Sequence, residues 1–371
     1  MLAELGRVLR FSAFVWPLSD PLTATGMSPM ARIPCPEELP LLIRLKYLTL
    51  AGRWTQLAIS QSPVTTLLHE TAGDPSRSLV WEGLMRRYGV TDVLFAVMAD
   101  KHGCWGWLDL WRAANDGPFT ADEVEYLAAV SRQVTPALRR SISRQFTSQL
   151  FEGSEQVRSE HVRSRPERAG VGTSGVVRSG GAGAPTGIGS GAGGGPRPEL
   201  PQQAVLALDA DMAVVGGTAS VAEWLRLLQA GPRPFQRVPA EVLNVAAQLL
   251  AREAGVDGHP ASSRVHIGSG QWAILQASRM GSTGTAATPP LAVTIQACPP
   301  EARLDMFARS FGLTTRQRQL FELAAGANTN AMAAALGIGA YTVQDQFKQV
   351  FETCGVHSRA TLLALAMGTA Q

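Results

Sequence analysis

Cysteine and histidine are scarce in this 371-residue chain, and neither is clustered. The four cysteines, Cys35, Cys104, Cys298 and Cys354, lie far apart and form no CxxC pair. None of the six histidines lies in HExxH or in another ligand spacing. Zinc sites and disulfide frameworks require such spacings. We therefore expect reduced thiols, no metal site and no cofactor.

Long apolar runs are also missing. No stretch approaches the ~18 apolar residues that a membrane-spanning helix needs. The apolar segment Phe11–Trp16, which follows Arg7 and Arg10, is too short for a signal peptide and lacks the small residues of a cleavage site. We therefore expect a cytoplasmic protein that does not enter the membrane.

Enzyme signatures are absent as well. The sequence has no GxxxxGK[ST] phosphate loop, no GxSxG and no kinase motif. No strand near its start ends in the paired aspartates of a phospho-acceptor receiver. We predict no catalytic residues, and control by a ligand or a partner rather than by phosphorylation.

Glycine, in contrast, is abundant, and the excess is concentrated in one place. Of the 37 glycines, many lie in Gly170–Gly195, in runs such as GAGAPTGIGSGAGGGP. The preceding Gln156–Arg168 alternates arginine and glutamate with polar residues. Between Arg139 and Arg197 there are nine Lys and Arg against four Asp and Glu, whereas the whole chain carries a net charge of +3. This composition predicts a disordered Gly/Arg-rich linker at 147–200, so the two halves of the chain need not touch.

The first half, 1–146, alternates strand and helix signals, which predicts an α+β domain. Thr120 and Glu123 have the spacing of a capping box and open a helix whose apolar residues share one face. The predicted elements before that box are strand Phe11–Pro17, helices Leu39–Tyr47 and Ser78–Tyr88, and strands Val93–Met98 and Gly103–Trp111.

A second α+β domain is predicted at 201–300. A further capping box at Ser220 and Glu223 opens a helix at Val221–Leu228. An amphipathic helix follows, with Val242, Val245 and Leu249 on one face. The predicted strands are Ala204–Leu208, Met212–Gly216, Arg264–Ile267, Gln271–Ala277 and Leu291–Ala297.

From Glu301 onward strand signals vanish, and the last 60 residues predict four helices. Thr314 and Gln317 form a third capping box. The second and third helices are separated by the turn Gly337–Gly339. In the third helix Val343, Phe347, Val350, Phe351 and Cys354 form one apolar stripe, and Tyr341, Gln344, Asp345 and Lys348 lie on the opposite face.

Two short helices joined by a glycine turn, the second with one apolar and one polar face, match the geometry that enters a DNA major groove of about 12 Å. The polar face would then contact bases or phosphates. The same periodicity also suits any small helical bundle.

The residues themselves favour the first interpretation. The stretch FGLTTRQRQLFELAAG, followed by MAAALGI and YTVQDQFKQVFETCGVHSRATLLA, resembles the C-terminal domain of LuxR-family regulators. The resemblance implies a helix-turn-helix DNA-binding domain at 301–371, with Tyr341–Thr353 as the recognition helix. It also implies a homodimer on double-stranded DNA, with a dimer face at Leu362 and Leu365. The predicted DNA-binding residues are Asn330, Tyr341, Thr342, Gln344, Asp345, Lys348 and Arg359.

The upstream halves resemble two sensor folds. LIRLKYLTLAGRW and RSLVWEGLMRRYGVTDV are similar to the GAF-like sensor of actinobacterial LuxR regulators, although Met1–Leu9 supplies only part of the helix expected before the first strand. AEWLRLL and VLNVAAQLLAREAGV make 201–300 resemble a PAS-like module. Both folds imply a small-molecule effector in an apolar cavity beside a sheet. Trp105, Trp107 and Trp111 could line that cavity or belong to the core. For His102 and Cys104, a structural role is favoured over haem or a covalent chromophore.

The expected architecture is therefore multidomain: GAF-like and PAS-like α+β sensor domains followed by an all-α four-helix LuxR-type domain. Departures from the family pattern leave an alternative open. Residues 313–371 carry four Lys and Arg and three Asp and Glu, and DNA affinity depends largely on neutralising phosphates. The family also usually has an acidic residue where Ala331 stands. The alternative is a sensor or scaffold protein whose degenerate helix-turn-helix mediates protein–protein contacts.

Overall fold

A computed structural model of the chain describes residues 1–163, 199–229, 238–281 and 289–368. Within them lie two five-stranded antiparallel sheets and many helices, so the protein is a multidomain α+β protein. Most of the predicted linker, residues 164–198, lies outside the described residues.

The first sheet belongs to the N-terminal unit, residues 2–163. Its strands are β1 (Ala13–Ser19), β2 (Gly26–Arg32), β3 (Val64–Thr66), β4 (Val90–Asp100) and β5 (Gly103–Ala113), in the order β2-β1-β5-β4-β3. The helices are α1 (Leu2–Val8), α2 (Leu39–Leu48), α3 (Trp54–Leu57), α4 (Leu67–Glu70), α5 (Leu79–Gly83) and α6 (Ala121–Arg163).

Successive side chains of the central strands point to opposite faces of this sheet, and both faces are buried. On β4, Leu94 and Ala96 pack toward α1 and α6, whereas Val93 and Phe95 pack toward α2 and α5. The predicted helix at Ser78–Tyr88 is α5 followed by a 3₁₀ turn at Met85–Tyr88.

The capping box that opens α6 is confirmed. The Thr120 N–H donates to Glu123 Oε2 at 2.9 Å, and the Glu123 N–H donates to Thr120 Oγ1 at 3.3 Å. Helix α6 then continues to Arg163, beyond residue 147 where the predicted linker begins.

The second unit contains the second sheet, with strands β6 (Ala204–Leu208), β7 (Val214–Gly217), β8 (Ser262–Gly268), β9 (Gln271–Arg279) and β10 (Leu291–Ala297). Their order is β7-β6-β10-β9-β8. Two helices, α7 (Val221–Leu228) and α8 (Ala240–Glu253), lie between β7 and β8 in sequence. Counted from the first strand of each unit, both sheets have the order 2-1-5-4-3. The chain therefore repeats one topology.

The predicted capping box at Ser220 is wrong. Helix α7 does begin after Ser220, but the Ser220 side chain makes no capping hydrogen bond. Its hydroxyl instead donates to the Gln203 carbonyl at 3.1 Å, because the chain entering β6 runs beside it.

Five helices form the helical unit: α9 (Pro300–Ser310), α10 (Thr315–Ala324), α11 (Thr329–Leu336), α12 (Ala340–Cys354) and α13 (Arg359–Met367). Among the helices within the described ranges, none combines the length and apolarity needed to span a bilayer.

The two α+β units pack closely against each other, although the linker prediction allowed them to be separate. Helix α8 lies against α2 and β2 of the N-terminal unit as well as against its own sheet. Its polar residues are buried because they bond to that unit. Glu241 accepts from the Ser28 N–H at 2.8 Å, and Asn244 donates to the Gly26 carbonyl at 3.1 Å.

A buried ion pair reinforces this contact. The Arg53 guanidinium, at the start of α3, donates to Asp257 through Nε at 3.0 Å and also to the Gln248 side chain at 3.0 Å. Burial alone would raise the pKa of Asp257, but hydrogen bonds from His259 and the positive charge of Arg53 lower it. Both members of the ion pair are therefore charged in the folded chain.

Candidate DNA-binding surface of the helical unit

Local capping residues determine where the helices of the candidate site begin and end. The Gln317 N–H donates to Thr314 Oγ1 at 3.2 Å, and the Thr314 N–H donates to Gln317 Oε1 at 2.9 Å, which confirms the predicted box. Asn328 caps α11 by accepting from the Ala331 N–H at 2.9 Å. Gly337 ends α11 in the left-handed region (φ 64°), a conformation that favours glycine. The chain then turns directly into α12.

Helix α12 has the two faces that its sequence predicts. Val343, Phe347, Val350 and Cys354 are buried against the rest of the helical unit. The opposite face is exposed to solvent, with Tyr341 83% exposed. The exposed residues of this face, which we call the α12 outer face, are Tyr341, Thr342, Gln344, Asp345 and Lys348.

The charges on the α12 outer face are few. Asp345 accepts a hydrogen bond from Gln349 Nε2 at 3.1 Å, which partly occupies its carboxylate. Lys348 is the one cation of the face, and its side chain is exposed. The surface can therefore donate and accept hydrogen bonds through Tyr341, Thr342 and Gln344, with one cation available for a phosphate.

Two further predicted DNA-binding residues, Asn330 and Arg359, do not lie on the α12 outer face. Asn330 is exposed in the first turn of α11. Arg359 is turned inward: its guanidinium donates to the carbonyls of Ala324 and Ala327 and lies 5.7 Å from the Phe347 ring centre. It therefore stabilises the negative C-terminal end of α10. Arg316 plays a similar role at the end of α11, where it donates to the Leu336 carbonyl.

The predicted dimer-face residues are also internal. Leu362 is fully buried and Leu365 is 3% exposed within the single chain. Helix α13 packs against α9, α12 and α6, so this apolar face is covered by the chain's own helices. In this arrangement neither leucine is available to a second copy.

Helix α9 holds the helical unit against both α+β units. Phe307 packs edge-on against Phe146 of α6, with ring centres 5.2 Å apart, and Phe146 stacks on Trp272 of β9 at 4.8 Å. Arg303 donates to the Leu365 and Ala366 carbonyls, both at 2.9 Å, at the C-terminal end of α13. One aromatic and cationic cluster thus contacts α6, β9 and α13.

A chain of ion pairs connects the same three units. Arg264 of β8 donates to Asp20, in the turn between β1 and β2, through Nε at 2.7 Å and Nη2 at 2.6 Å. Its Nη1 donates to Asp305 of α9 at 2.7 Å. Burial alone would raise the pKa of Asp20, but Arg264 lowers it. Arg309 bonds to Asp305 at 2.9 Å and donates to the His102 carbonyl at 3.0 Å, which extends the chain to the turn between β4 and β5.

The tryptophans considered for an effector cavity belong to the core. Trp105, Trp107 and Trp111 are all buried, and Trp107 stacks on Trp54 with ring centres 4.1 Å apart. The space between the sheet and α2 is therefore filled by side chains. A groove between the two α+β units is more open, and its lining includes Pro21, Gln56, Ile59, Asp100 and His259.

Cys104 is also a core residue. Its thiol lies 3.5 Å from the Ser19 hydroxyl, and burial raises its pKa to about 11. Since the thiolate is the reactive form of cysteine, this residue is chemically inert at neutral pH. Within the described ranges, no group of three or more His, Cys, Asp or Glu side chains is arranged to hold a metal ion.

Comparisons with known proteins add no family: no protein-family model matches the chain, and no curated protein matches it.

Proposed function

We propose that the chain is a DNA-binding transcriptional regulator whose helical unit is a LuxR-type helix-turn-helix. In this proposal the N-terminal unit is GAF-like and the second unit is PAS-like, and both control the helical unit. The observation that carries the proposal is the α12 outer face. A helix supported on one side by a core, preceded by a short helix and a tight glycine turn, presents hydrogen-bonding side chains to solvent.

The side chains of that face divide into two roles. Thr342 and Gln344 lie near the N-terminal end of α12, which is the end of a recognition helix that contacts base edges. A Gln side chain can pair with adenine through two hydrogen bonds. Lys348, one turn further along, would contact a phosphate. Tyr341 adds an exposed ring beside them.

The upstream units are proposed to act through contact. The aromatic and cationic contacts of Phe307 and Arg303 on α9, together with the Asp20–Arg264–Asp305 ion pairs, join the helical unit to both of them. A homodimer through Leu362 and Leu365 requires α13 to leave α9 and α6. Control by the α+β units therefore consists in holding or releasing α13.

A second function is favoured by the charges. Of the four cations in 313–371, Arg359 and Arg316 donate to backbone carbonyls inside the helical unit. Such a weakly basic surface suits a scaffold that binds protein through the α12 outer face.

The experiment that separates the two functions is selection of the full chain against a randomised double-stranded DNA library. Binding of the selected duplex is then measured by fluorescence anisotropy between about 50 and 200 mM salt. A regulator enriches a sequence and loses affinity steeply with salt. Lys348→Ala should weaken binding to every duplex and lower the log–log salt slope by about 1. Gln344→Ala should cost about 1–3 kcal/mol on the selected site alone.

The matched control is Arg7→Ala, which removes an exposed cation of α1 that is paired with Glu4. It should leave both the affinity and the salt slope unchanged. The selection is repeated with Arg303→Ala, which removes the hydrogen bonds that Arg303 donates to the α13 carbonyls. If neither folded chain enriches a sequence or shows salt-dependent binding, the regulator is refuted and the scaffold is favoured.

A further inference from the structure

Basic side chains gather where the N-terminal unit meets the helical unit. Lys101 and His102 lie in the turn between β4 and β5, Arg139 lies on α6, and Arg318 lies on α10. We call these four residues the junction cluster. They are separated by up to 217 positions in sequence, so no local motif predicts their proximity.

Gly312, between α9 and α10, lies at the centre of the junction cluster. It adopts a φ of +70°, and an added Cβ would lie 2.2 Å from Arg139 Nη1 and 3.5 Å from His102 Nε2. The guanidinium of Arg139 therefore rests directly on this glycine, beside the imidazole of His102. The backbone around them is fixed, because the His102 carbonyl accepts from Arg309.

The charges of the other three residues act on His102. Burial lowers its pKa, Asp100 opposes this, and the positive charges of Arg139, Lys101 and Arg318 lower it further. His102 therefore remains neutral at physiological pH, and its ring can donate one hydrogen bond.

Several polar atoms of the junction cluster have no hydrogen-bond partner among the described residues. They are Nδ1 of His102, whose residue is 5% exposed, and the buried Nε atoms of Arg139 and Arg318. One carboxylate lies beside Arg139: Asp100 Oδ2 is 3.4 Å from Arg139 Nε. The other oxygen of Asp100 already accepts from the His102 N–H and from Trp105 Nε1. Lys101 is exposed, whereas Arg139 and Arg318 are half-buried, and Arg139–Asp100 is the one ion pair of the junction cluster among the described residues. Half-buried charge that is incompletely compensated is costly.

We propose that the junction cluster binds a small tetrahedral oxyanion of the phosphate type. Planar guanidinium groups match the geometry of phosphate oxygens. Helix α10 begins three residues after Gly312 and adds the positive end of its dipole. Since Arg139 and His102 belong to the N-terminal unit and Arg318 to the helical unit, the anion bridges the two. The site stands by itself, whereas its use as the effector site of a regulator rests on the proposed function.

The test measures inorganic phosphate binding to the full chain by calorimetry and by thermal unfolding, without DNA. Sodium chloride of equal ionic strength is the reference. Phosphate should raise the unfolding temperature above the chloride value. Arg139→Gln and Arg318→Gln should each weaken phosphate binding about tenfold or more, as expected for a lost charge-assisted hydrogen bond. Arg140→Gln, an exposed neighbour on α6, should remain within about twofold.

A second readout keeps the test independent of folding defects. In chloride, Arg318→Gln should be as stable as the parent chain or more stable, because it relieves repulsion between like charges. In phosphate the order should reverse. Arg318→Lys, which keeps the positive charge but loses the planar guanidinium with its paired donors, should bind phosphate with intermediate affinity. A parallel titration with glycerol phosphate distinguishes the free ion from a phosphate monoester, since the natural ligand should bind more tightly.

Two outcomes overturn the proposal. In the first, phosphate has no more effect than chloride on the parent chain. In the second, Arg139→Gln and Arg318→Gln bind phosphate like the parent chain but lose DNA affinity, which makes the junction cluster a contact for the DNA backbone. Because phosphate binding is measured without DNA, failure of the regulator hypothesis leaves this test unaffected.

Discussion

Replacing Arg264 by methionine gives the sharpest test of the contact among the three units. The Arg264 side chain is 4% exposed and that of Asp20 is 1% exposed, and they share two hydrogen bonds of 2.6–2.7 Å. The variant leaves the Asp20 carboxylate buried without its cation. Removing one partner of a buried pair costs about 3–5 kcal/mol. Domains are stable by roughly 5–15 kcal/mol, so the loss is a large fraction of the total.

The measurement is urea unfolding combined with hydrogen exchange of the native chain. Exchange should accelerate in β8, in the turn between β1 and β2, and in α9, because Arg264 lies on β8 and bonds to Asp20 in the turn and to Asp305 on α9. The double variant Asp20→Asn/Arg264→Met removes the stranded charge and should recover much of the loss. Arg279→Met is the matched control: its ion pair with Glu253 is partly exposed and is expected to contribute no more than about 1 kcal/mol. If Arg264→Met loses less than about 1 kcal/mol, or if exchange in α9 stays unchanged, the ion pairs do not hold the units together.

Three other predictions concern single sites. Burial and the charge of Arg303 lower the pKa of His266 to about 4, against about 6.5 in an unfolded chain. Between these values only the unfolded chain binds the proton, so stability should fall by roughly 3 kcal/mol from pH 6.5 to pH 4, and His266→Gln should flatten a plot of urea midpoint against pH. Thr314→Ala should cost about 1 kcal/mol in urea unfolding by removing the cap of α10, whereas the exposed Thr315→Ala should not. Lys46→Met should destabilise the chain by about 3–5 kcal/mol, because it leaves the buried Asp109 carboxylate, 2.8 Å from the Lys46 ammonium, without its cation. If the double variant Lys46→Met/Asp109→Leu is no more stable than Lys46→Met in the same assay, the unpaired carboxylate is not the cause.

Sequence periodicity predicted the elements whose signals are local. The capping residues at Thr120 and Thr314, the two faces of α12 and most strands of both sheets follow from residues within one or two turns. Ser220 shows the limit of such signals, because its hydroxyl bonds to Gln203, just before β6, which the capping pattern does not include. Strand β2 was not predicted, since it contains Pro29 and lies at the sheet edge with mostly exposed residues.

The candidate site divides in the same way. Exposure of Tyr341, Gln344 and Lys348 follows from helical periodicity. The inward position of Arg359 does not, because it depends on carbonyls more than 30 residues away. The junction cluster and the Arg264 ion pairs also depend on long-range packing, for which the sequence carries no local signal.

The burial of Leu362 and Leu365 has a consequence for mass action. Contacts of α13 with α9 and α6 form within one chain, so their strength is independent of protein concentration. Any pairing of α13 between two chains strengthens as concentration rises. The proposed homodimer would use the same leucines as the contacts within one chain, so the two arrangements would compete. In that proposal, the fraction of chains with a released α13 increases with the amount of protein present. If the proposed homodimer forms, protein concentration would therefore shift the balance between the two arrangements.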